Sequence, residues 1–201
     1  MNIIKFDIGA NMGVDTKGMA SDGSTVYAFE PTHELLSKYL WPLSFGNPNI
    51  IVIPFAVDLE NSFKKFNIAA HRDWGCSSLY DFADDIHERW PNRPDFNVTH
   101  SYKVPTITLK DFIELYNIPH IDYLHIDAQG NDLNVLMSLH DKVSIVKSGV
   151  VEASDKVDLY KGTSNSSDEI RNFLLSNGFK ITHEETNDVV GAEINIHFER
   201  K

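Results

Sequence analysis

The chain has 201 residues, 42% of them hydrophobic, with 18 Lys and Arg against 29 Asp and Glu and a formal net charge of −11. That length accommodates one sizeable core and is short for two, so a single domain over 1–201 is expected, and the acidic balance disfavours nucleic acid or any partner held by phosphate contacts. No apolar run reaches about eighteen residues, no basic segment precedes an apolar one at the N-terminus, and the one cysteine, Cys76, cannot form an internal disulfide, so a cytoplasmic protein with no membrane partner is expected.

The first apolar run, Ile3, Ile4, Phe6 and Ile8, predicts a strand buried on both faces that ends in the stretch FDIGANMG, residues 6–13. Gly9 and Gly13 let the backbone turn sharply there and approach a ligand closely. STVYAFE (24–30) predicts a second buried strand, and PTHELLSKYL a helix capped by Thr32 with Leu35, Leu36, Tyr39 and Leu40 on one face. IIVIPFAV (50–57) reads as a third strand. The region 58–103 predicts loops with short helical or extended pieces, and a connection that long is usually functional. Its Trp74, Phe82, Trp90 and Phe96 serve either as core anchors or as the apolar lid of an acceptor site, while His71, His87 and His100 lack the spacing of zinc ligands.

TLKDFIELYNI (108–118) predicts a helix capped by Thr108, IDYLHID (121–127) a strand, NDLNVLMSL (131–139) a helix and SGVVEAS (148–154) a fifth strand. SSDEIRNFLLSNG is a helix with Ser166 and Glu169 as a capping box and Gly178 as its stop. FKITHEE and GAEINIHFER close the chain as a hairpin. In its second strand Ala192, Ile194, Ile196 and Phe198 alternate with Glu193, Asn195, His197 and Glu199, the mark of an antiparallel strand with one polar face. The basic pairs Lys64–Lys65 and Arg200–Lys201 read as solvated surface.

Strands alternating with helices give an α/β fold with a largely parallel sheet, and ligands bind such sheets beyond the carboxyl ends of the strands. GANMG, Glu30, the segment after Val57, Asp127 and Glu152 all fall at those ends. A dinucleotide fingerprint is broken, because Asn11 and Val14 stand where its second and third glycines belong, and no Walker loop occurs. What remains is Asp7 at a strand end, the turn Gly9, Ala10, Asn11 and Gly13, and Glu30 ending the next strand. Glu30 suits the two hydroxyls of a ribose, Asp7 and the turn backbone suit an ammonium and a carboxylate, and Pro31, Ala56 and Val57 flank an adenine or belong to the core. An amino acid joined to a ribose describes S-adenosylmethionine. An NAD-dependent oxidoreductase stays open, since an acid after the second strand serves both cofactors, as does a binding module without catalysis.

Taken in order, FDIGANMG, YAFEP, CSSL, VPTITLKDFI, IDYLHIDAQGNDLNVLMSL and EINIHF resemble the FkbM family of S-adenosylmethionine-dependent methyltransferases over nearly the whole chain. The resemblance implies the seven-stranded class I methyltransferase sheet, Rossmann-like, in the order 3-2-1-4-5-7-6 with the last strand antiparallel and helices on both faces. It implies methyl transfer to a hydroxyl of a sugar or small natural-product acceptor. Family members often read Lys-Ile-Asp-x-Glu-Gly where this chain has His125, Ile126, Asp127, Ala128, Gln129 and Gly130.

Transfer from a sulfonium is an in-line displacement, so the protein has to position an acceptor oxygen and remove its proton. Asp127 is expected to orient or deprotonate that hydroxyl, with help from His125 or Glu152. A variant in which Asp127 and Glu152 hold Mg²⁺ is not favoured. The segment 73–103 is expected to lie over the cofactor's methyl end as an acceptor-site lid.

Overall fold

The computed structural model describes residues 2–69, 74–187 and 193–201, with Trp74 described in its backbone only. His71, Asp73 and Ala192 therefore lie outside the described residues, as does the Trp74 side chain. The strands are β1 (Ile4–Ile8), β2 (Thr25–Phe29), β3 (Ile50–Ile53), β4 (Ala56–Val57), β5 (Phe63–Ala69), β6 (Val98–Ile107), β7 (Tyr123–Ile126), β8 (Ser148–Ser154), β9 (Phe179–Thr186) and β10 (Glu193–Arg200).

Seven of these form the main sheet in the order β3-β2-β1-β7-β8-β10-β9. Counted without the strands of the smaller sheet, this is the expected 3-2-1-4-5-7-6. β1, β2, β3, β7 and β8 run parallel, and β10 is antiparallel to both its neighbours. The burial of β8 explains its position: every residue after Ser148 is buried, as a strand covered on both faces requires. β10 shows the predicted alternation, with Ile194, Ile196 and Phe198 buried.

One face of the sheet carries the larger core. Phe6, Ile8, Phe29, Leu124, Ile126, Val151 and Ile196 meet Leu109, Phe112 and Ile113 of the helix Leu109–Leu115, Leu133 and Leu136 of Asp132–Met137, and Ile170 and Leu174 of Ser167–Ser176. Phe112 packs edge-on against Phe6 and Phe29, with ring centroids 5.7 and 4.8 Å away. On the other face Ala10, Ala28, Leu36 and Leu40 form one cluster and Ala20, Val26 and Ile50 another. Two of the three predicted caps form: Thr108 accepts from the Asp111 amide, and Ser166 accepts from the Glu169 amide. Among the described residues no helix is long and apolar enough to cross a membrane.

Several expectations need correction. Ile3 is 45% exposed, so the first strand is buried only from Ile4 onward. The stretch 50–57 is two strands, because Pro54 offers no amide to a ladder. Beyond Pro54, β4 leaves the main sheet and pairs with β6, which in turn pairs with β5 to complete a second sheet. The region 58–103 is therefore more regular than a loop. Thr32 occupies the cap position of the helix it precedes without a capping hydrogen bond. The basic pairs are also more than solvated surface. Lys64 pairs with buried Asp58, and the Arg200 guanidinium donates to the carbonyls of Val143, Val146 (2.7 Å) and Asn177 (3.2 Å).

Candidate active site

At the carboxyl ends of β1, β2 and β7 lies a half-open cleft. Its borders include Gly9 and Asn11 after β1, Glu30, Pro31 and Thr32 after β2, Ala56 and Val57 of β4, and Asp127, Gln129 and Asn131 after β7. Of the sequence candidates, Gly9, Asn11, Glu30, Pro31, Ala56, Val57 and Asp127 border it. Asp7, Ala10, Gly13, His125 and Glu152 do not.

The turn after β1 is built by close backbone approach. Gly9 has φ +85°, and a Cβ there would sit 1.9 Å from the Asp127 carbonyl oxygen, so only glycine lets β1 and β7 end side by side. The amides of Gly9 and Ala10 both donate to the Phe29 carbonyl, at 3.0 and 2.9 Å, which ties the turn to β2. Asn11 follows with φ 48°, a conformation asparagine tolerates better than most residues. Its amide donates to Glu30 Oε2 at 2.9 Å, while the Thr32 amide donates to Oε1 at 2.7 Å.

Glu30 is only 5% exposed, and burial lifts its carboxyl from the ordinary 4.5 to about 7; the Asp7 charge adds to the rise, and the Thr32 and Asn11 contacts oppose it. Each of its oxygens accepts one backbone amide and keeps a lone pair. Two further polar atoms beside it, Asn11 Oδ1 and Thr32 Oγ1, are buried without a hydrogen bond of normal geometry, although the Thr32 hydroxyl lies close enough to Glu30 to favour its charged form. Buried polar atoms without partners are costly, and here they border a cleft beside a carboxylate. That combination fits a ligand with hydroxyl and amino groups, which S-adenosylmethionine is.

Asp7 is occupied elsewhere. It accepts from the Thr16 hydroxyl and pairs with His125 Nδ1 at 2.8 Å, which binds β1 to both β7 and the helix Val14–Met19. Burial alone would lower the His125 pKa, but the Asp7 hydrogen bond and charge outweigh it and raise it to about 9. Burial raises the pKa of Asp127 and raises that of Glu152 further, with the Asp127 charge adding to the effect on Glu152. The two are joined by Gln129 Nε2, which donates to Asp127 Oδ1 at 2.6 Å and to Glu152 Oε2 at 2.9 Å.

The long segment after β5 reaches the cleft through Gly75, Ser77 and Leu79. Phe82, Trp90 and Phe96 pack with Ile86, Leu159 and Tyr160 into a small core of their own. The Cys76 thiol donates to Asp95 at 3.8 Å. Sequence reasoning missed Thr16, Thr32 as a cleft residue, Asn131, Tyr160 and Asn187; only Gln129 carried a signal, as a departure from the family motif. Among the described residues no group of three or more His, Cys, Asp or Glu side chains is arranged to hold a metal ion.

Solved structures place this architecture. Magnesium protoporphyrin IX methyltransferase from Synechocystis PCC 6803, with bound S-adenosylhomocysteine, is similar at a TM-score of 0.56 and 11% identity over 100% of this chain and 75% of that one. The Burkholderia thailandensis 1,6-didemethyltoxoflavin-N1-methyltransferase, with bound 1,6-didemethyltoxoflavin and S-adenosylhomocysteine, is similar at a TM-score of 0.51 and 10% identity, over 100% of this chain and 72% of that one. WbdD, a bifunctional kinase-methyltransferase, is similar at 0.55 and 10% over 99% of this chain, which spans only 36% of WbdD. The fold is thus that of the class I methyltransferases.

Residues 7–181 match the model of the methyltransferase FkbM domain, and the chain belongs to that family. A search of curated proteins finds no match.

Proposed function

We propose that the protein is an S-adenosylmethionine-dependent O-methyltransferase acting on a hydroxyl of a sugar or small natural-product acceptor. The observation that carries this reading is the carboxyl of Glu30, bordered by the unpartnered Asn11 Oδ1 in a cleft that ends at Asp127. Family membership supports the reaction class.

In this reading Glu30 takes the ribose hydroxyls on the lone pairs its backbone donors leave, and Ala56, Val57, Phe66 and Leu79 offer apolar walls to the adenine. S-adenosylmethionine supplies an electrophilic methyl group on a sulfonium. Asp127 holds the acceptor hydroxyl in line and takes its proton as the oxygen gains the methyl group. His125, paired with Asp7, is a cation behind Asp127 that favours its ionised form. The segment from Gly75 through Phe96 is the acceptor-side wall.

The test is transfer of labelled methyl from S-adenosylmethionine to a panel of hydroxylated sugars. Asp127→Asn is expected to bind S-adenosylhomocysteine within about three-fold of wild type while losing about 100-fold in turnover, the range of a general base. Unchanged turnover in Asp127→Asn would remove it from the mechanism.

A further inference from the structure

Two residues past Asp127, Gln129 sits in a frame that fixes its orientation. Its backbone is left-handed, φ 51°, and Gly130 follows at φ 88°, where a Cβ would meet Tyr160 Cδ2 at 2.7 Å. The Ser78 hydroxyl donates to the Gln129 carbonyl at 2.7 Å, and the Tyr160 hydroxyl donates to Gln129 Oε1 at 2.6 Å. With Oε1 accepting from Tyr160, Nε2 faces the two carboxyls and gives one hydrogen to each. A flipped amide would aim its oxygen at both carboxyls, so the carboxyls select this orientation, and the Tyr160 hydroxyl, which also lies 3.1 Å from the Cys76 carbonyl, supports it when it donates to Oε1.

The two carboxyls are not equivalent. Glu152 is buried away from the cleft, with Oε2 held by Gln129 and Oε1 by Asn187, whereas Asp127 borders the cleft. Two carboxyls this close cannot both ionise readily. Glu193 of β10 and Asp132 of the following helix add negative charge around Glu152, and Tyr160 stands on the same side. Around Asp127, besides Glu152, the charged neighbours are His125, which favours its ionised form, and Asp7 and Asp132, whose negative charges oppose it.

We propose that Gln129 is a positioning residue for the transfer: its amide, aimed by Tyr160 and Ser78, bridges the two carboxyls and favours a carboxylate on Asp127, which faces the acceptor, while the proton of the pair stays on the more buried Glu152. This rests on the methyl-transfer reading of the cleft.

The test combines titration of ¹³C-labelled side-chain carboxyls by NMR with the pH dependence of methyl transfer, in wild type, Gln129→Leu and Tyr160→Phe. In wild type Glu152 is expected to be protonated and Asp127 ionised at neutral pH. Gln129→Leu removes the side-chain donor to ionised Asp127, so the Asp127 titration and the acid limb of the rate profile both move upward by about one pH unit. Its kcat falls about ten-fold or more, while S-adenosylhomocysteine affinity stays within about three-fold. Tyr160→Phe, which leaves Gln129 in place, moves both readouts the same way by a smaller amount and separates loss of aim from loss of fold. Identical carboxyl titrations in wild type and Gln129→Leu, or both carboxyls ionised at pH 7 in wild type, would overturn the proposal. The expected titrations without any wild-type methyl transfer would overturn the reading of the cleft, and with it a role for Gln129 in transfer.

Discussion

Raising the pH from 6 to 8 is expected to tighten the binding of S-adenosylhomocysteine, with Glu30 as the cause. Its carboxyl titrates near 7 because it is buried, and a ribose diol donates to the ionised form. For a group at that value the ionised fraction runs from about a tenth at pH 6 to about nine tenths at pH 8, so affinity should change about ten-fold, or about 1.4 kcal/mol. Stability of the ligand-free protein should move the other way. Between 4.5 and about 7 the folded chain keeps a proton on Glu30 that the unfolded chain has lost. The Glu30 contribution is therefore complete below the ordinary value and disappears as the pH rises through 7, a loss of about 3 kcal/mol in all, of which about 1.3 kcal/mol falls between pH 6 and 8. Calorimetric titrations at pH 6, 7 and 8, with urea unfolding at the same values, read both effects in wild type and Glu30→Gln. The variant should bind more weakly and with no pH dependence. A wild-type dissociation constant equal at pH 6 and 8 would refute the reasoning.

Asn11→Gly keeps the left-handed turn and the backbone donor to Glu30 but removes the unpartnered Oδ1. Stability measured by urea unfolding should change by less than about 1 kcal/mol, while S-adenosylhomocysteine affinity falls about five- to ten-fold, the worth of one hydrogen bond. Gly9→Ala forces a Cβ against the Asp127 carbonyl at 1.9 Å in a left-handed backbone. It should cost about 3 kcal/mol or more in urea unfolding, from the backbone strain and the separation of β1 from β7 together. Replacing 84–97 with a glycine-rich bridge removes Ile86, Trp90 and Phe96 from the small core that holds Tyr160. Labelled-methyl assays should show transfer abolished with S-adenosylhomocysteine affinity within about three-fold of wild type, since Glu30 and Asn11 are untouched; equal loss of both would show that the segment is structural.

The sheet was legible because its strands are strongly patterned. β8 is a continuous buried run, β10 alternates, and Thr108 and Ser166 mark helix starts with local chemistry. β5 and β6 were not legible. Thr99, His100, Ser101 and Lys103 are polar and exposed, Pro105 within β6 argues against a strand in the sequence, and the pairing partner lies more than thirty residues upstream in registers such as Asn67 with Ser101. Positions at strand ends located Glu30 and Asp127, since an acid closing a buried run has a cost that asks for a reason. What those acids touch depends on tertiary contact. Nothing local links Asp7 to Thr16 and His125, and the reach of Tyr160 back to Gln129 depends on a core in which Ile86 and Phe96 meet Leu159 and Tyr160 from far along the chain.

The most direct test of the central claim is calorimetry of wild type and Glu30→Ala with S-adenosylhomocysteine, and of wild type with NAD. The account predicts saturable binding of one S-adenosylhomocysteine per chain, weakened at least about ten-fold in Glu30→Ala by loss of hydrogen bonds to a charged group, and no heat with NAD. Binding of NAD in place of S-adenosylhomocysteine, or S-adenosylhomocysteine affinity indifferent to Glu30, would contradict it.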